Sequence, residues 1–107
     1  MTNHPHRLRA IAEDIATCLA EDLLKSPYPG LETAEIAERT DICVLTVAET
    51  LDLMQRAGLL RAAAVEFYTR SVQQRVTLTR AGVRSLLPAS EVEAALEAIG
   101  TKVGPKC

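Results

Sequence analysis

Apolar side chains recur at Leu8, Ile11, Ile15, Cys18, Leu19 and Leu23, with Glu13, Asp14, Glu21 and Asp22 falling largely off that stripe. This spacing predicts an amphipathic helix over residues 7–25. Two prolines and a glycine within residues 26–30 end it. Thr33 then reads as an N-cap, with Glu35 in the first turn where the helix dipole favours an acid. A short second helix over 34–39 follows, and Thr40 and Asp41 make a turn. A third helix over 44–57 carries Val47, Leu51 and Met54 on one face, and Gly58 is the left-handed residue at its end.

The period changes after Leu59 and Leu60. Residues 75–79 alternate strictly between polar and apolar, as a half-buried strand does. Residues 64–69 are expected to oppose them, Val65 and Phe67 facing in and Glu66 and Tyr68 facing out. Thr79 caps a further helical turn or two through Leu86 and Leu87, ended by Pro88. Ser90 and Glu93 form a capping box for a last helix to about Ile99, with Gly100 as its stop and Val92, Leu96 and Ile99 on one face. Residues 101–107 read as a flexible tail.

Two short helices joined by a turn and followed by a hairpin follow the winged helix-turn-helix plan. The residues resemble the MarR-like and PadR-like bacterial transcriptional regulators. Ile36 and Ala37 fill that family's Leu-Ala slot, and Ile42 fills its valine. Thr46 and Val47 fill its Thr-Val pair, and Leu51 and Met54 its two leucines. Gly58, Leu59 and Leu60 match its ending, and Leu78, Thr79 and Gly82 are similar to its Leu-Thr-x-x-Gly after the wing. The resemblance covers residues 31–87. It implies a mainly α domain with a small β-hairpin, a winged helix-turn-helix with flanking N- and C-terminal helices. The helix-turn-helix is then 33–60, the wing 64–79 and the C-terminal helices 80–99, within a single domain of residues 1–100.

Composition and charge refine this picture. At 107 residues and 3% aromatic content the chain is one domain with an aliphatic core, and its Phe67 and Tyr68 pair is too little for a base-stacking platform. Residues 1–55 hold four basic against ten acidic side chains, a balance of −6. Residues 56–90 hold six arginines against Glu66, a balance of +5. A basic middle is able to meet a polyanion locally despite a net charge of −2. Thr46 on the third helix, and Arg70, Gln73, Gln74 and Arg75 at the tip of the hairpin, are therefore the expected contacts to double-stranded DNA.

The third helix points elsewhere. Where the family's outward positions are usually Ser, Arg, Gln or Lys, this chain places Val44, Leu45, Ala48, Glu49 and Asp52. Major-groove reading needs donors for guanine and amides for adenine. Val44, Leu45, Ala48 and Leu53 therefore form an alternative face for a protein partner, in a module that does not read bases. The flanking helices suggest a homodimer through Leu8, Ile15, Val92 and Leu96, as similar regulators pair.

Enzymatic chemistry finds no support: His4 and His6 lie at the start of the chain, and no serine or cysteine has a nearby base. Cys18, Cys43 and Cys107 are far apart and contain no C-x-x-C pair, so neither a metal nor a disulfide framework is expected, and no cofactor. No apolar run reaches the ~20 residues of a membrane span, and no apolar signal core follows Met1, so the expected compartment is the cytoplasm.

Overall fold

A computed structural model describes residues 5–63 and 74–103. Its elements are α1 (Pro5–Lys25), α2 (Thr33–Thr40), α3 (Val44–Arg56), β1 (Leu60–Ala63), β2 (Arg75–Leu78), α4 (Arg80–Leu86) and α5 (Ala89–Lys102). The chain is mainly helical, with a small antiparallel sheet.

One core serves every helix. The most deeply buried large side chains are Ile15 and Leu23 of α1, Ile36 of α2, Val47 of α3, Leu78 of β2, Val83 of α4 and Ile99 of α5. Helix α1 is its spine, packing against α2, α3, α4, α5 and β2. Its apolar stripe is long because five elements of the same chain cover it.

Helix boundaries follow local chemistry with three departures. Glu32, not Thr33, is the N-cap of α2, and the Glu35 carboxylate accepts the Glu32 backbone N–H at 3.1 Å. The glutamate pair three residues apart outcompetes the threonine by bonding reciprocally across the first turn. Helix α5 starts one residue earlier than Ser90, with Pro88 as its N-cap, and runs through Gly100 to Lys102, into the segment expected to be tail. A glycine costs only about 1 kcal/mol inside a helix. Here the following turn is held from outside: the Lys102 ammonium donates to the Leu23 and Leu24 carbonyls at 2.8 and 3.0 Å. Those are orphan acceptors at the negative end of α1. Lys102→Met is expected to lower stability by about 1 kcal/mol, a few degrees in melting temperature, by leaving these carbonyls to water. Thermal unfolding followed by circular dichroism checks it.

The end of α3 agrees with expectation. Gly58 is left-handed at φ 78°, its N–H bonds the Gln55 carbonyl at 3.0 Å, and the Leu59 N–H bonds the Met54 carbonyl at 2.9 Å. These are the two bonds of a Schellman motif. Thr79 also caps α4 as expected, its hydroxyl accepting from the Gly82 N–H at 3.0 Å and donating to the Gly58 carbonyl at 2.7 Å.

The sheet differs from the expected hairpin. β2 pairs with residues 60–63 rather than 64–69, in the register Leu60 with Leu78 through Ala63 with Arg75. Residues 64–73, including Val65, Glu66, Phe67 and Tyr68, lie outside the described residues. The pairing is fixed at its base, where the Thr79 N–H reaches the Leu59 carbonyl at 3.1 Å and two buried leucines, Leu60 and Leu78, oppose each other. On its other edge β2 exchanges both backbone bonds with Leu31, from Leu31 N–H to the Val76 carbonyl at 3.2 Å and from Val76 N–H to the Leu31 carbonyl at 3.0 Å. β2 is thus flanked on both edges. Thr77, expected to face out, is only 4% exposed, and α1 and α4 both pack on this strand.

Candidate functional site

Three exposed large apolar side chains, Val44, Leu45 and Leu53, lie on α3, which follows α2 and the turn at residues 41–43. Asp41 makes the turn possible: it is left-handed at φ 59°, a conformation that aspartate tolerates better than most residues. Cys43 is the N-cap of α3, but its side chain makes no capping bond, and it is exposed. Val47, Thr50, Leu51 and Met54 face the core. Thr50 is buried, and its hydroxyl is satisfied by the Thr46 carbonyl at 2.7 Å.

The opposite face of α3 is formed by Leu45, Glu49, Asp52 and Arg56, spaced at one-turn intervals and all exposed. Leu45 is 69% exposed. Arg56, the only cation of that face, is paired with Asp52 at 3.1 Å. The face therefore offers carboxylates and an aliphatic side chain outward, with its guanidinium already engaged.

The four residues of the alternative apolar face do not form one patch. Ala48 and Leu53 are five residues apart, roughly 140° around the helix. Ala48 lines a cleft of about 230 Å³ with Thr33, Leu51, Asp52, Gln55, Gln74 and Val76, on the sheet side of α3. Leu53 lies on the other flank, beside α1. Val44 and Leu45 sit at the helix start, 48% and 69% exposed.

Of the expected DNA contacts, Thr46 and Gln74 lie on different flanks of α3. Thr46 is half-buried on the α1 flank. Gln74 is exposed and lines the cleft on the sheet side. Arg75 is half-buried, its Nε 3.9 Å from the Glu32 carboxylate, an ion pair too long to be a hydrogen bond. Arg70 and Gln73 lie outside the described residues.

The expected pairing face also needs correction. Ile15 is wholly buried within one chain, so it offers nothing to a second copy. Val92 and Leu96 are partly buried against the same core, and α5 packs on α1. Only Leu8, 43% exposed, projects freely.

Sequence reasoning missed the groove between α1, α3 and α4. Leu8, Ala12, Thr50, Leu53, Met54, Leu59 and Leu86 line about 370 Å³ of it, with Arg9 at the edge. It continues along Arg7, Leu8, Ile11, Thr46 and Glu49 for a further 290 Å³ or so. Leu8 and Leu53 each carry an apolar signal, but only the crossing of α1 over α3 brings them together. Arg9 is fixed at the edge, reaching the Ser85 carbonyl at 2.8 Å and Glu13 at 3.3 Å.

Cys18 is buried, and desolvation pushes its thiol up from the ordinary value, which disfavours the nucleophilic thiolate. Among the described residues no group of three or more His, Cys, Asp or Glu side chains converges to hold a metal ion, and no helix is long and apolar enough to cross a membrane. Compared with protein-family models, with curated proteins and with solved structures, the chain matches none of them.

Proposed function

We propose that this chain is a winged helix-turn-helix regulator of transcription, acting as a two-fold pair, that meets duplex DNA through its basic second half rather than by reading bases with α3. The observation that carries the reading is the strand arrangement. A single residue before α2, Leu31, bridges one edge of β2 while β1 occupies the other. This ties the segment leading into α2 to β2 at Val76, and the residues between the two strands include Arg70, Gln73 and Gln74. A strand held on both edges in this way supports the winged reading, in which the connection between the strands meets a DNA backbone. Arginines there suit phosphate or minor-groove contact.

A second reading, a protein-docking module, is favoured by one observation: Leu45 is exposed among Glu49, Asp52 and the engaged Arg56. Phosphates are repelled by such a face and a protein partner is not.

The test is Arg70→Ala combined with Arg75→Ala. Duplex binding is expected to weaken by about tenfold or more at low salt, with the melting temperature within a few degrees of wild type, since phosphate contacts dominate such affinity. Unchanged binding by a folded double variant would remove the wing as the DNA contact and leave the docking module.

A further inference from the structure

We infer that two copies of this chain pair groove to groove, through the channel between α1 and α3, with the charged edges of each copy set against the opposite edges of the other. The inference rests on the two-copy part of the reading above and is separate from its DNA part.

The channel has an apolar floor and edges of opposite sign. Its α1 edge carries Arg7, beside an Arg9 already paired with Glu13; its α3 edge carries Glu49. Arg7 and Glu49 are exposed, and neither forms an ion pair with any described residue. The floor holds Ala12, Met54 and Leu86, while Leu8 stands beside it, 43% exposed. A projecting leucine and an open apolar floor thus share one face, which is what a self-complementary interface requires: each surface must be both donor and receiver.

Charge selects the occupant. A two-fold axis running along the channel turns the second copy over so that its α1 edge lies on the first copy's α3 edge. Arg7 of each copy then meets Glu49 of the other, twice by symmetry, and each Leu8 enters the other floor. A uniformly cationic or anionic partner satisfies only one edge, so a second copy fits the channel better than either. The pairing encloses Thr46 and Leu53. It leaves the cleft on the opposite flank of α3, lined by Ala48, Gln55 and Gln74, open on both copies. Thr46 is then an interface residue rather than a DNA contact.

The test is sedimentation equilibrium on the full chain in reductant, which removes any cysteine-linked species. Wild type is expected to associate to about twice 11.6 kDa. Arg7→Glu alone and Glu49→Arg alone are each expected to weaken association by about tenfold or more, since like charges are then set face to face. Mixed in equal amounts, the two variants are expected to pair with each other, because every edge contact is again between opposite charges. Both positions are exposed, so folding survives, as circular dichroism would verify. A wild type that stays monomeric at every concentration overturns the two-copy reading altogether. A pair that tolerates either reversal, or variants that do not recover on mixing, overturns the groove interface and leaves a two-fold pair formed elsewhere.

Discussion

Gly82→Ala is expected to destabilise the protein by about 3 kcal/mol, roughly 10–20 °C in melting temperature. Helix propensity predicts the opposite sign, since alanine gains about 1 kcal/mol over glycine inside a helix. The collision decides between them. A Cβ at Gly82 would run into the Leu59 carbonyl oxygen, which is backbone and already accepts the Thr79 N–H. It would also crowd the Leu78 side chain at 3.2 Å. Neither α4 nor the base of the sheet can yield without breaking the Thr79 contacts to Gly58 and Gly82. Urea unfolding with a constant slope checks the loss. A variant as stable as wild type would mean that α4 does not approach Leu59 so closely.

The second large effect is expected at Leu51→Ala, a loss of ~2–5 kcal/mol as for other large-to-small changes in a packed core. Leu51 is 5% exposed, between Val47 and Met54 on the inward face of α3. Truncation there removes packing where α3 meets the rest of the core. The same denaturant experiment applies. A loss below about 1 kcal/mol would mean that this face of α3 is not core, and the placing of its outward residues would fall with it.

What could be read in advance was what a few neighbouring residues decide. The stripe from Ile11 to Leu23, the Gly58 stop and the Thr79 cap each depend on side chains within a turn or two, and each is where the sequence places it. The strand β1 could not be read this way, since an arginine and two alanines carry little β propensity and the pairing comes from its anchored base. Leu31 gave no signal, because a one-residue bridge has no period. The last turn of α5 is held by carbonyls of Leu23 and Leu24, which are 78 or more positions away. A local stop at Gly100 could not foresee that.

The candidate site divides along the same line. Which residues of α3 face outward follows from 3.6-residue spacing, so Leu45, Glu49 and Asp52 were visible as an outward set. What covers a flank does not. Leu53 meets Leu8 only because α1 crosses α3, and Ile15, expected at a pairing face, is covered by elements that no local pattern places against α1. The tie between Arg75 and Glu32 joins a strand to a helix cap 43 positions earlier, beyond the reach of any local pattern.

Under the proposed function, the basic half of this chain meets duplex DNA through phosphate contacts while α3 reads no bases. The most direct test is binding to a pool of random duplex DNA across a salt series. Binding is expected at about 50 mM salt and to fall steeply as salt rises, a slope of log K against log salt of roughly −2 to −5, with little preference among sequences. No binding at low salt, or binding indifferent to salt, would contradict the proposed function.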